Sequence, residues 1–94
     1  MKPKELQKLA EILKSDIKEV SQLSGKSGDL VFLVESEDSQ RYVYKTGTKE
    51  SIAPQLEFYK KYLNLPYLPE LIYAFPDSKS FVISYIEHEK NLSY

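Results

Sequence analysis

A single lysine, Lys45, has the setting of a phosphate-binding residue. It ends the β-rich stretch 41–45, in which strand alternation puts Val43 and Lys45 on one face and Tyr42 and Tyr44 on the other. A lysine on the packed side of a sheet needs an anionic partner, because a desolvated, unpaired ammonium is costly. Glu57, on the helical pattern that follows, is the natural partner. Taken singly, Lys45 also fits a solvated strand end, and Glu57 fits an exposed helix position.

A polar loop, residues 22–29, precedes this lysine and lies between two apolar runs. Gly25 and Gly28 would let backbone N–H groups approach a phosphate, and Ser27 adds a hydroxyl donor. The same residue types are typical of a plain hairpin turn, and on the loop alone that interpretation is favoured. The loop is not a Walker A motif, since the required upstream glycine is missing and a strand follows.

The hydrophobic pattern predicts the elements that would position these residues. We expect helices over 3–14 and from Pro54 to 63, the second with an apolar stripe of Leu56, Tyr59, Tyr62 and Leu63. We expect strands over 17–23, 30–34, 41–46, 71–75 and 80–86, with turns at 24–29 and 76–79. The predicted fold is α+β, a five-stranded antiparallel sheet with an N-terminal helix and one helix between strands 3 and 4, both helices lying against one face.

Composition narrows the classes of function. The 94 residues carry a net charge of −1, which gives no electrostatic basis for binding nucleic acid or a membrane surface. Cysteine is absent and His88 is the only histidine, so neither disulfides nor a zinc site is expected. With no secretory signal or long apolar run in the sequence, a cytoplasmic location is the default expectation.

Four stretches together carry a resemblance to a known fold. They are residues 23–31, 41–45, 55–63 and 65–71, the last with two prolines between the helix and the fourth strand. The chain resembles the N-terminal lobe of the kinase-like fold and, more narrowly, the aminoglycoside phosphotransferase and choline kinase branch. The resemblance implies an N-terminal helix at 1–16, a nucleotide-binding lobe at 17–87 and a linker at 88–94 toward a second, C-terminal lobe.

The resemblance also implies a role for individual residues. Lys45 matches the lysine that holds the α- and β-phosphates of ATP or GTP, which binds with Mg²⁺, and Glu57 matches the helix glutamate that orients it. The remaining matches are Ser27 and Gly28 over the phosphates, Val31 and Val43 above the base, Ile83 behind it, and the linker backbone from Ser84 to Ile86 along its edge.

The sequence departs from this family in the residues for chemistry. It has no His-x-Asp-x-x-x-x-Asn stretch and no downstream metal-binding aspartate, so the lobe alone should be inactive and would need the missing C-terminal lobe or a partner protein. We interpret Asp29, Asp38 and Asp77 as turn residues. The alternatives are a non-catalytic interaction module that binds a partner protein or self-associates as a homodimer, and an unrelated small α+β domain. Association would use an exposed apolar patch of Val31, Val43, Ile83 and Ile86.

Overall fold

The computed structural model describes residues 2–26, 29–62 and 68–85. Its elements are α1 (Pro3–Leu13), β1 (Ile17–Lys26), β2 (Asp29–Ser36), β3 (Arg41–Thr46), α2 (Lys49–Lys61), β4 (Leu71–Ala74) and β5 (Ser80–Ser84). The strands form one sheet in the order β1-β2-β3-β5-β4, and every neighbouring pair is antiparallel. The α+β fold predicted from the sequence is therefore confirmed, with α2 between the third and fourth strands.

The two helices cover opposite faces of the sheet. Leu9 of α1 packs into a core cluster with Phe32, Val34, Tyr44 and Val82. Ile52 and Leu56 of α2 form a second cluster with Phe81 and Ile83. Because neighbouring side chains in a strand point to opposite faces, Phe81 and Val82 belong to different layers. The prediction that both helices lie on one face is wrong.

The sequence of β5 explains this two-sided arrangement. Phe81, Val82 and Ile83 are consecutive apolar residues, and each is at most 3% exposed. A strand that is apolar on both faces has to be covered on both sides to keep those residues from water. The continuous apolar run is visible in the sequence and is typical of a strand covered on both faces, but the predicted arrangement with both helices on one face did not use it.

Helix α1 begins and ends where its sequence predicts. Pro3 lies in the first turn, where its missing N–H leaves no bond unmade. Glu5 Oε1 accepts a hydrogen bond from the backbone N–H of Lys2 at 3.1 Å, which satisfies a free donor at the helix start. At the other end Lys14 adopts the left-handed conformation, with φ of 58°, which ends the helix.

The β1–β2 hairpin is longer than predicted. Backbone pairing continues to Lys26 opposite Asp29, so the predicted turn over 24–29 is wrong, and residues 27–28 between the strands lie outside the described ranges. The strands continue because backbone hydrogen bonds do not require apolar side chains. Glycine suits position 25, since a Cβ there would lie 2.6 Å from Gln22 Nε2 and 2.9 Å from Leu30 Cδ2.

Helix α2 begins at Lys49, several residues before the predicted start near Pro54. Thr48 is its N-cap, and Thr48 Oγ1 accepts a hydrogen bond from the N–H of Ser51 at 3.2 Å. Pro54 lies inside the helix, and because it has no N–H, one backbone carbonyl of the preceding turn loses its helical donor. Pro54 itself is exposed. Tyr62, predicted on the apolar stripe, is 38% exposed, and Leu63 lies outside the described residues.

The two remaining connections use the turn chemistry that the sequence indicated. Asp38 Oδ1 accepts hydrogen bonds from Ser36 Oγ and from the N–H of Gln40, and Asp77 Oδ1 accepts one from the N–H of Lys79 at 2.9 Å. The hydrogen bond from Ser36 is the main cause that lowers the pKa of Asp38. Both aspartates therefore act as turn residues, as predicted. Strands β4 and β5 end earlier than expected, at Ala74 and Ser84.

Candidate functional site

An open cavity of about 400 Å³ lies at the edge of the sheet where β2 begins, β3 ends and α2 starts. The hairpin strands reach it through the first residues of β2, and α2 bounds it through its first two turns. Its lining residues are Asp29, Leu30, Val31, Lys45, Thr46, Ile52 and Gln55. Two of these, Val31 and Lys45, are among the residues that the sequence selected for nucleotide binding.

Lys45 contributes the positive charge of this cavity. Its side chain is partly buried, its Nζ donates to Gln55 Oε1 at 3.3 Å, and Nζ lies 5.9 Å from the ring centroid of Phe81. Burial lowers the pKa of the Lys45 ammonium. The ammonium therefore has one neutral acceptor and an aromatic face, and it retains donor capacity toward the cavity.

The contact expected between Lys45 and Glu57 does not form. Glu57 is exposed, and it lies about 200° around the helix from Gln55. The residues of α2 that face the sheet are Ile52, Gln55, Leu56 and Tyr59, which follow the i, i+3, i+4, i+7 spacing of one helix face. Gln55 belongs to this face and Glu57 does not, so the lysine is held by an amide in place of the predicted carboxylate.

Asp29 has a different role from the turn residue that the sequence suggested. It is the first residue of β2, and its Oδ2 accepts a hydrogen bond from Ser51 Oγ of α2. Its Oδ1 is buried and has no hydrogen-bond partner among the described residues. A Cβ at Gly47 would lie 2.0 Å from that Oδ1, so glycine at 47 is what leaves room for the carboxylate.

The residues assigned to the nucleotide base are distributed differently. Val31 lines the cavity, whereas Val43 is partly buried against the α2 cluster. Ile83 lies inside that cluster and is 3% exposed. The expectation that Ile83 belongs to an exposed apolar patch is therefore wrong, because α2 covers it. Ile86, expected in the same patch, lies outside the part of the chain that the structure describes, as do Ser27 and Gly28.

Two of the predicted linker residues, Ser84 and Tyr85, form backbone hydrogen bonds to neighbouring strands or segments, and Ile86 lies outside the described residues. The N–H of Ser84 donates to Glu70 O at 2.8 Å, and Ser84 Oγ accepts from the N–H of Glu70 at 2.9 Å. The N–H of Tyr85 donates to Arg41 O at 3.2 Å. In this structure neither of these N–H groups is free to donate to the edge of a base.

Three site residues were missed by sequence reasoning: Asp29, Ser51 and Gln55. A helix predicted to start at Pro54 excluded Ser51 and gave a stripe that left out Gln55. Recognising Thr48 as an N-cap would have started the helix at 49 and placed residues 52, 55, 56 and 59 on one face. No comparable signal in the sequence indicated that the Asp29 carboxylate reaches α2.

Two classes of site or segment are not found in the described ranges. Residues 2–26, 29–62 and 68–85 contain no group of three or more acidic, histidine or cysteine side chains placed to hold a metal ion. In the same ranges, neither helix has the length and apolar character that crossing a membrane requires. No protein-family model matches the chain, and a comparison with curated proteins gave no match either.

Proposed function

We propose that this chain is the nucleotide-binding half of a small-molecule phosphotransferase, and that Lys45 binds the phosphates of ATP or GTP. The observation that carries the proposal is a partly buried ammonium in an open cavity, with a neutral amide as its hydrogen-bond partner. A desolvated cation without a counter-ion is stabilised by an anionic ligand, and charge-assisted hydrogen bonds to phosphate oxygens are among the stronger contacts a protein can form.

The position of the lysine in the fold supports a phosphate ligand. Lys45 lies on the third strand of an antiparallel sheet, and a helix follows that strand directly. Kinase-like nucleotide sites use a lysine in this position and pair it with a glutamate of the following helix, whereas in this chain the contact from the following helix is the amide of Gln55. The cavity also lies next to the β1–β2 hairpin, whose turn is where such sites cover the phosphates.

The proposal covers binding and not transfer. The described residues do not fit an Mg²⁺ site of the chain's own, because Asp29 is the one carboxylate that lines the cavity. The catalytic-base motif is also missing from the sequence. Any Mg²⁺ would arrive bound to the nucleotide.

Calorimetric titration with ATP, GTP and pyrophosphate, each with and without Mg²⁺, tests this proposal. Lys45→Met keeps the length of the side chain and removes its charge, and we expect it to weaken binding of all three ligands. Lys79→Met is the matched control, since Lys79 is an exposed lysine in the turn before β5 and should bind as the wild type does. Equal affinity of Lys45→Met and wild type would refute the site.

A second candidate function, association through an apolar surface, is favoured by a different observation. Phe58 and Tyr62 lie one turn apart on α2, with ring centroids 5.0 Å apart, and they are 46% and 38% exposed. Apolar pairs on the outer face of a helix are typical contact sites for another protein or a second copy. Light scattering at increasing concentration tests this, and a strict monomer that Phe58→Ser leaves unchanged would argue against it.

A further inference from the structure

We infer that Lys45 is held in place by a hydrogen-bond relay of Asp29, Ser51 and Gln55, which connects its ammonium to the first residue of β2. The relay makes Gln55 and Ser51 positioning residues for the anion site. The relay rests on the proposed function only for the identity of the ligand, since its effect on Lys45 can be measured without one.

The first link joins the hairpin to the helix. Ser51 Oγ donates to Asp29 Oδ2, and Asp29 is the first residue of β2. Ser51 lies in the first turn of α2, where the N-cap bond from its own N–H to Thr48 Oγ1 fixes its backbone. The first residue of β2 is thereby linked to the first turn of α2.

The second link runs along the helix to the amide of Gln55. Gln55 Nε2 donates to the backbone carbonyl of Ser51 at 3.0 Å. This bond sets the orientation of the amide, because the NH₂ end is occupied by the helix and the oxygen end is turned toward β3. The amide therefore presents an acceptor, and not a donor, to whatever lies opposite it on the sheet.

The third link is the hydrogen bond from Lys45 Nζ to Gln55 Oε1 at 3.3 Å. A neutral acceptor orients the ammonium but does not cancel its charge. A carboxylate in the same place would form an ion pair with the ammonium and would reduce the positive charge presented to the cavity. The relay therefore provides orientation by a neutral group and leaves the positive charge available to an anion.

Gln55→Glu tests this distinction directly. We expect the glutamate to raise the pKa of Lys45, since a nearby carboxylate favours the charged ammonium. We also expect pyrophosphate to bind about tenfold more weakly, because the new carboxylate competes for the ammonium and repels the ligand. Glu57→Gln, a change of charge on the exposed face of the same helix, should alter neither quantity.

Ser51→Ala tests the link to the hairpin, because it removes the hydroxyl and keeps the carbonyl that holds Gln55. We expect the pKa of Lys45 to move toward its ordinary value as the side chain gains access to water, and pyrophosphate affinity to fall. Ser51→Thr retains the hydroxyl and should restore both. Thr48→Ala is the control for helix stability, since it removes the N-cap bond to the N–H of Ser51 and leaves the Ser51 hydroxyl and the Gln55 amide unchanged, so we expect a smaller shift than in Ser51→Ala.

Both quantities are measured on the full chain, the pKa by NMR titration of the Lys45 side-chain signals and the affinity by calorimetry. If wild type fails to bind pyrophosphate while Ser51→Ala and Gln55→Glu still shift the pKa, the proposed function is wrong and the relay stands. If pyrophosphate binds and these variants change neither the pKa nor the affinity, the relay is overturned. A shift in Thr48→Ala equal to that in Ser51→Ala would also overturn it, since general loosening of the helix would then explain the result.

Discussion

The hydroxyl of Tyr44 on β3 donates to Glu5 Oε2 on α1 at 3.0 Å, across the interface between the sheet and the first helix. Tyr44 is 3% exposed, and its hydroxyl also lies 3.5 Å from Ser80 Oγ. The other oxygen of the same carboxylate accepts from the N–H of Lys2 at the start of the helix. One carboxylate thus supports the N-terminus of α1 and joins that helix to the sheet.

Tyr44→Phe should destabilise the protein by about 1–2 kcal/mol, because a hydrogen bond to a charged group is lost while the aromatic ring stays in place. For a domain of this size the midpoint of thermal unfolding should fall by about 5–15 °C. Tyr73→Phe is the control, since Tyr73 packs against the same cluster and its hydroxyl has no hydrogen bond to any described residue. Equal unfolding midpoints for the two variants would show that the Glu5 contact contributes nothing.

Lys45 should make stability depend on pH in the alkaline range. Burial lowers the pKa of its ammonium below the 10.5 of an unperturbed lysine. Between the lowered pKa of the folded state and 10.5, Lys45 is protonated more in the unfolded state than in the folded state. Its contribution to the free energy of unfolding therefore rises with pH in that range. Below the lowered pKa the folded protein carries the whole cost of the buried charge.

The measurement is the difference in unfolding midpoint between Lys45→Met and wild type, followed from neutral pH upward. We expect the variant to be more stable at neutral pH and the difference to shrink as the pH approaches 10.5. The difference between variant and wild type is used because Tyr44 also titrates in this pH range. Burial raises the pKa of Tyr44, so its contribution to the free energy of unfolding falls with rising pH in both proteins and cancels in the difference. A difference that is constant with pH would contradict the prediction.

Gly47→Ala should disturb the site without altering any group that forms hydrogen bonds in it. The added Cβ would lie 2.0 Å from Asp29 Oδ1 and 2.8 Å from its Cγ, so the carboxylate must leave Ser51. We expect a loss of about 1–3 kcal/mol in the free energy of unfolding, measured with denaturant. Gly25→Ala should cost less, because its new Cβ meets only the flexible ends of Gln22 and Leu30. The reverse order would be inconsistent with the Asp29 contact.

Leu56→Ala tests whether α2 covers its own face of the sheet. Leu56 is 3% exposed in the cluster with Phe81 and Ile83, so truncation should leave a cavity and cost about 2–5 kcal/mol. Phe58→Ala on the outer side of the same helix should cost much less, since Phe58 is 46% exposed. Denaturant unfolding of both variants gives the comparison, and similar losses would mean that α2 does not pack as described.

The sequence predicted the type and order of the helices and strands in the described ranges, because most of them had a clear period or a continuous apolar run, although the alternation over 17–23 was imperfect. Strand β3 was predicted with its observed bounds, Arg41–Thr46, since Tyr42, Val43 and Tyr44 alternate between the two clusters. The ends of elements were less accurate where polar residues continue the backbone pairing, as between Ser24 and Lys26. Backbone hydrogen bonding leaves little trace in side-chain patterns.

The site was predicted less well than the fold, and the reason lies in α2. The sequence correctly places Lys45 on the packed face of the sheet. It predicts Glu57 as the partner because a partly buried ammonium is expected to pair with a carboxylate. Gln55 could have been found only with the correct start of the helix, at Thr48. The contact between Asp29 and Ser51 joins residues 22 positions apart, and it depends on how α2 crosses the sheet.

Tyr44 and Lys45 are neighbours on β3 and point to opposite faces of the sheet, and this restricts the pairing register of β3 with β2 and β5. Tyr44 faces the α1 layer, and Lys45 faces the α2 layer. A slip by one residue against β2 or β5 would bury an ammonium beneath α1 and turn a phenol toward the cavity, so misaligned forms would be heavily penalised. The same charge that we propose to hold a ligand would therefore favour the native strand pairing during folding, because it destabilises the shifted registers.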